Sequence, residues 1–266
     1  LIEAKVDAIG VSCNDPVAYV PVLKKAIASG ICVMTWDSDA PTSDRLVFYG
    51  VNSYAVGQKM GLEMNTLLGG KGNVVIISGD PSALNLNLRI KGVESTLAPG
   101  INVLNTAYSM DDTATAAADT EDVISTYPNL NGIIMVGGWA LFSSEGATPL
   151  LKKAKGRIKV ESFDPLEPVT LYLRDGIVQS VWSQDYWGWG YESTTILYSL
   201  LNGGAWHESI PQPSQDVLAA DWKSWYDRWA ASASGSVAAA AAAWKEPAFT
   251  PPGPAGSSGP LRTWKK

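Results

Sequence analysis

The chain has 266 residues, a formal net charge of −6 and a sequence pI of about 4.9. That balance offers no basic patch to a phosphate backbone, so no nucleic-acid partner is expected. No run of about 18 apolar residues is present to cross a bilayer, so no membrane insertion is expected, and the length fits one large or two ordinary domains at roughly 100–200 residues each.

The opening LIEAKVDAIG carries neither a charged n-region nor an apolar h-region, and it lacks an initiator Met. The expectation is a chain that starts partway through a longer protein. Val6–Ser12 reads as a strand, followed by a CNDP turn and a helix over about Val17–Ser29. Asn14 or Asp15 before Pro16 is a suitable N-cap, and Gly30 a suitable stop. Ile31–Trp36 is a mostly apolar run of the kind that forms a strand buried on both faces. It delivers Trp36, Asp37, Ser38 and Asp39 to the strand end before Pro41. The plainer roles for these residues are a loop cap for Asp37 and packing for Trp36. Cys13 and Cys32 fall at opposite ends of neighbouring parallel strands, a poor geometry for a disulfide; buried free thiols are expected.

A short strand over Leu46–Tyr49 precedes a helix over about Ser53–Leu68, which Gly69-Gly70 ends. The GGKG of residues 69–72 reads as a helix-ending turn rather than a phosphate loop. Strand Asn73–Ser78, helix Leu84–Leu97, strand Asn102–Thr106, helix Ala114–Thr126 and strand Gly132–Val136 follow. A helix near Glu145–Ala154, strand Ile158–Glu161, helix Pro168–Asp175 and strand Val178–Trp182 complete the alternation. Such alternation means βαβ units and parallel sheets, and the clean restart at Asn73 suggests two of them. Beyond Gly204 the pattern changes. Trp222, Trp225 and Trp229 fit one helical face, and Ala230–Lys266 is of low complexity, with the Ala238–Ala243 run and TPPGPAGSSGP. Disorder or loose docking is expected there.

The common catalytic signatures GxxxxGK[ST], GxGxxG and GxSxG are absent, and His207 is the single histidine, which excludes a His-rich metal site. No catalytic residue, metal or cofactor is expected. What remains is a series of polar and aromatic strand ends: Asn14 and Asp15, Trp36 and Asp37, Asp80, Gly138 and Trp139, Asp164, and Gln184 with Asp185. In open α/β sheets ligands sit in the crevice outside the carboxyl ends of the strands. Carboxylates and amides pair with hydroxyls, and indoles cover apolar C–H faces. The mixture suits a sugar.

The segments VDAIGVSCNDPVAYVPVLKKAIASGICVMTWDSDAP, NSYAVGQKMG, NVVIISGDPSALNLNLRIKGV and ESFDPLEPVTLYLRDG resemble the type I periplasmic sugar-binding proteins, over about Leu1–Gly204. The resemblance implies an α/β fold of two Rossmann-like three-layer αβα lobes joined by a three-segment hinge. It implies a monosaccharide ligand, an ABC permease partner and a periplasmic or extracytoplasmic location. It makes Asp37 the first-lobe carboxylate, Arg89 the second-lobe guanidinium with Asn85 and Asn87 beside it, Asp164 the second-lobe carboxylate and Gln184 the hinge amide. Gly138 and Trp139 fall where the family presents an amide or an aromatic, and Asn14 and Asp15 border the cleft. Against the family pattern the first lobe is incomplete, leaving Val6–Ser12 at an open edge, and the final crossing is expected to be lost. Weak or no sugar binding by this chain alone is the corresponding expectation. The implied division is 1–50 as the remnant of the N-terminal lobe, 51–182 as the C-terminal lobe, 183–229 as hinge return and C-terminal segment, and 230–266 as tail. An effector domain of a transcriptional repressor shares this fold and is the alternative.

Overall fold

The computed structural model describes residues 1–143, 146–244 and 257–265. It begins with β1 (Ala8–Val11), α1 (Tyr19–Ala28), β2 (Cys32–Trp36) and β3 (Val47–Gly50). Next come α2 (Ser53–Leu68), β4 (Lys71–Ser78), α3 (Leu84–Thr96), β5 (Gly100–Tyr108), α4 (Thr113–Thr126) and β6 (Gly132–Met135). The short α5 (Trp139–Phe142) comes next, then α6 (Pro149–Lys153) within the helix expected near Glu145–Ala154, of which Glu145 lies outside the described residues. Then follow β7 (Lys159–Phe163), α7 (Glu167–Arg174), β8 (Ser180–Trp182), α8 (Tyr186–Leu201), β9 (Ala205–Pro211), β10 (Asp216–Leu218), α9 (Trp222–Ala233), α10 (Val237–Trp244) and β11 (Ser258–Thr263).

The strands form two sheets, one ordered β1-β2-β3-β9-β11 and one ordered β10-β8-β7-β6-β4-β5. All pairs are parallel except β11 on β9 and β10 on β8. Strand periodicity shows in β4: Val74 and Ile76 join the core under α2 and α3, while Val75 and Ile77 join the opposite core. A strand buried on both faces needs apolar residues throughout, which is why this stretch is a continuous apolar run. In the first sheet, α8 covers Cys32, Met34 and Tyr49, and α1 covers Val33 from the other side. Cys13 and Cys32 are buried free thiols, and burial pushes them up to about 12 and about 11. β1 is an edge strand with β2 as its neighbour.

Local chemistry sets the helix ends. Asn52 caps α2 by accepting from the Ala55 amide at 3.0 Å, and Gly69 closes the helix in the left-handed region at φ 63°. Asp185 caps α8 by accepting from the Gly188 amide at 2.8 Å. Helices α2 and α3 approach backbone to backbone, since a Cβ on Gly57 would lie 2.2 Å from the Arg89 carbonyl oxygen. That approach sets the depth at which Arg89 enters the protein.

Two expectations need correction. The final crossing is present: the chain leaves the first sheet at Pro211 and enters the second at Asp216, beside the crossings at Gly50–Ser53 and Trp182–Tyr186. Gln212 donates to the Gly50 carbonyl at 2.9 Å, and Ser183 donates to the Gln215 carbonyl at 2.9 Å, so the three crossings lie side by side. The low-complexity region also packs against the rest where described, while most of TPPGPAGSSGP lies outside the described residues. Trp244 buries the end of α10 against Trp225 and Trp229, and β11 extends the first sheet beyond β9. One large indole supplies the apolar surface that the alanine run lacks.

Candidate functional site

Asp37 directly follows β2 and Asp164 directly follows β7, and both adopt left-handed backbone, at φ 58° and 62°. Each is fixed by its own amide, Asp37 to the Tyr49 carbonyl at 3.0 Å and Asp164 to the Trp182 carbonyl at 2.8 Å. Aspartate tolerates this region better than most residues, but the conformation still carries strain, and strain of this kind gathers at functional sites. The turns aim two carboxylates, one from each sheet, into the shared gap.

Between them lies Arg89 of α3, 2 % exposed. Its Nη1 donates to the Val136 carbonyl at 2.8 Å, its Nη2 to Gln184 Oε1 at 3.4 Å, and its guanidinium lies 3.7 Å from the Phe163 ring centroid. Burial pulls its pKa down, and the charges of Asp164 and Asp37 oppose that shift. Gln184 Nε2 and Tyr186 Oη both donate to Asp164 Oδ1, at 3.0 and 2.8 Å. Asp37 is held more loosely, by Ser12 Oγ at 3.3 Å and, across the gap, by Asn85 Nδ2 at 3.5 Å. Burial pushes the Asp37 carboxyl up to about 6, with Arg89 lowering and Asp164 raising it. Asp37 opens onto a cavity of about 280 Å³ shared with Asn52, Asn85, Leu88 and Pro211. Asp164 opens onto another of about 380 Å³ with Phe142, Leu166, Tyr186, Trp189 and Trp229.

Of the residues singled out in the sequence, Asp37, Arg89, Asp164 and Gln184 thus converge, with Asn85 at their edge. The others stand further out. Asn14 Nδ2 donates to Asp111 Oδ2 at 3.0 Å, a bond from the first lobe to the second. Asp15 accepts from the Val17 and Ala18 amides at 2.8 and 2.9 Å, holding the turn before α1. Asn87 donates to the Pro81 carbonyl at 2.8 Å. Trp36 packs on Trp189, with ring centroids 5.3 Å apart. Trp139 packs against both cores of the second sheet, and Gly138 precedes it where a Cβ would lie 2.6 Å from the Phe163 carbonyl oxygen. Sequence reasoning missed Ser12 and Tyr186. Ser12 ends its strand as Asp37 ends the next, and Tyr186 lies two residues past Gln184, so position alone pointed to both.

Two mostly parallel α/β sheets, three adjacent crossings and facing strand-end carboxylates describe one architecture. The model of the periplasmic binding protein domain matches residues 1–205. This chain belongs to that family. It is a family of substrate-binding proteins rather than enzymes. A solute-binding protein of an ABC transporter from Burkholderia graminis, crystallised with D-arabinose, is 32% identical, covers 83% of this chain and is itself covered over 78%, with a TM-score of 0.78. A sugar-binding protein of a sugar ABC transporter from Bacillus halodurans is 26% identical over 85% of this chain and 82% of its own, with a TM-score of 0.73. The xylose/arabinose-binding protein XylF of Sulfolobus acidocaldarius is 24% identical over 75% of this chain. The chain spans about half, 53%, of the length of that curated relative.

Proposed function

We propose that this chain binds a monosaccharide between its two lobes and serves an ABC importer outside the cytoplasm, presenting the sugar to a membrane permease. The observation that carries the reading is the meeting of Asp37 and Asp164, from different sheets, around the buried Arg89. Two carboxylates and one guanidinium joined by an amide give acceptors and donors at fixed spacing, which is what a ring of vicinal hydroxyls requires. Arg89 and Gln184 donate to hydroxyl oxygens; Asp37 and Asp164 accept from hydroxyl protons. Trp36 and Trp139 supply aromatic surface at the rim for C–H faces, the Gly138 backbone lies beside Trp139, and Asn14, Asp15 and Asn87 shape the loops around the cleft. A ligand that touches both lobes favours the closed arrangement by its differential affinity for it. The relatives named for arabinose and xylose support a pentose-sized ligand.

Calorimetric titration with D-arabinose, D-xylose, D-ribose, D-glucose and D-galactose, carried to millimolar sugar, tests this. Saturable heat with at least one sugar is expected, and its loss in Asp37→Ala with the circular dichroism unchanged. A folded protein that gives no saturable heat with any of them defeats the proposal.

A further inference from the structure

We infer that the C-terminal helices α9 and α10 are part of the ligand site, because together they brace Asp164 from behind and Trp229 of α9 walls the cavity on which it opens. The inference rests on the sugar-binding reading of that site. Residues 222–244 lie beyond the stretch matched by the family model, so nothing in that match assigns them a role.

Two hydrogen bonds make the connection. Tyr186 Oη donates to Asp164 Oδ1 at 2.8 Å, and Trp229 Nε1 donates to the carbonyl of Pro165, the next residue, at 2.7 Å. Tyr186 is itself caged by indoles: its ring centroid lies 5.4 Å from Trp229, 5.9 Å from Trp244, 6.4 Å from Trp225 and 5.0 Å from Trp189. The cage is braced from within, with Trp229 and Trp244 at 4.8 Å and Trp244 Nε1 donating to Ser232 Oγ at 2.7 Å. Burial holds the Tyr186 phenol well above its ordinary pKa, so it stays a donor.

Asp164 needs such support. Its left-handed backbone is unfavourable for a residue with a Cβ, and both side-chain bonds land on Oδ1, so Oδ2 is the oxygen available to a hydroxyl donor. A carboxylate fixed before the ligand arrives loses less freedom on binding. Trp229 also lines the cavity beside Asp164, so its ring bears on what fits there. Tyr186 and Trp229 are positioning residues, acting through Asp164.

Tyr186→Phe keeps the ring and removes one donor; Trp229→Phe keeps an aromatic ring but removes the donor together with the indole's second ring. With the best-bound sugar of the panel above, Kd should rise about 10-fold and about 5-fold respectively, from the loss of one hydrogen bond to a charged and to a neutral acceptor. Hydrogen exchange provides a readout that needs no sugar. The Asp164 and Leu166 amides, bonded to Trp182 and Asp164 carbonyls, should exchange faster in both variants while the α9 and α10 amides do not. Unchanged exchange at Asp164 and Leu166 in both variants overturns the inference, as does faster exchange spread through α9 and α10. So does an unchanged Kd in a wild type that binds sugar. A wild type that binds none of the sugars defeats the sugar-binding reading, and the exchange result then decides this inference alone.

Discussion

Asp37 ends β2 in one sheet and Asp164 ends β7 in the other, with the same backbone conformation and the same amide-to-neighbour bond. Their surroundings differ. Asp164 receives two close donors, Gln184 at 3.0 Å and Tyr186 at 2.8 Å, both from the crossing that follows β8. Among the described residues Asp37 has only Ser12 at 3.3 Å and Asn85 at 3.5 Å as side-chain donors, the second reaching over from the opposite lobe. Burial therefore pushes Asp37 up to about 6. A half-buried carboxylate short of donors is costly when ionised. The second lobe thus presents a preorganised acceptor, while the first presents one that a ligand's hydroxyls would complete.

Removing what the two acids share should have the largest effect. Arg89→Met removes the guanidinium that bonds the buried Val136 carbonyl and Gln184 and whose charge favours the ionised Asp37, and leaving each of those buried acceptors unpaired costs about 1–3 kcal/mol. Urea denaturation should show that loss, together with loss of sugar binding. Unchanged stability would mean that Asp37 and Asp164 are not coupled through the guanidinium.

Exchanging each acid for its amide separates the two. The folded-state pKa of Asp37 is raised, so the folded protein holds that proton more tightly than the unfolded chain. The ionised carboxylate therefore lowers stability above about pH 6, and this penalty fades as pH falls towards the ordinary carboxylate value of about 3.9. Asp37→Asn should accordingly stabilise the unliganded protein by about 1–2 kcal/mol at pH 7 and by little at pH 4, while weakening sugar binding. Asp164→Asn should bring no such gain, because it weakens an acceptor that Gln184 and Tyr186 already hold at 3.0 and 2.8 Å. In wild type, sugar affinity should fall about 10-fold between pH 7 and pH 5, as Asp37 takes up its proton. Calorimetry at the two pH values reads this, and a flat profile would remove Asp37 from the contact set.

Legibility in the sequence followed the physics of each element. β2 and β4 were readable as continuous apolar runs, and α2 was bracketed by Asn52 and Gly69. The four converging residues were readable because strand ends in a parallel sheet share one rim and because the family resemblance named their positions. Helix geometry sets Asn87 apart from the four: Asn85 and Arg89, four residues apart, share a face of α3, whereas position 87 turns about 200° away from Asn85 and meets Pro81. Helix α8 was hidden by Gly188 and Gly190, although Asp185 caps it. The last crossing and β11 were hidden because PQPSQ and SGPLRT carry the proline and glycine of loops, and their pairing depends on strands far away in sequence. The position of Tyr186, two residues past Gln184, pointed to the site, but its bracing contact did not show, since its hydroxyl meets a carboxylate 22 residues earlier.

The smallest expected effect distinguishes contact from closure. Asn14 donates to Asp111 Oδ2 at 3.0 Å across the gap, while Asp111 Oδ1 accepts from the Asp80 amide at 3.0 Å. Met110 and Asp111, at φ 54° and 60°, hold that carboxylate in a strained turn facing Asn14. The bond joins the lobes without touching the Asp37–Arg89–Asp164 cluster. An exposed hydrogen bond of this kind contributes about 0.5–1 kcal/mol net, so Asn14→Ala should weaken sugar binding by about 2- to 5-fold. The factor should be the same for every sugar, because what is lost is the free energy of closing and not a contact to a particular hydroxyl. Asp37→Asn, in contrast, should weaken sugars unequally and reorder them. Titrating both variants with the same sugars, and comparing their radii of gyration by small-angle scattering without ligand, separates the two cases. An Asn14→Ala penalty that varies from sugar to sugar would move Asn14 from the closing contact into the binding site itself.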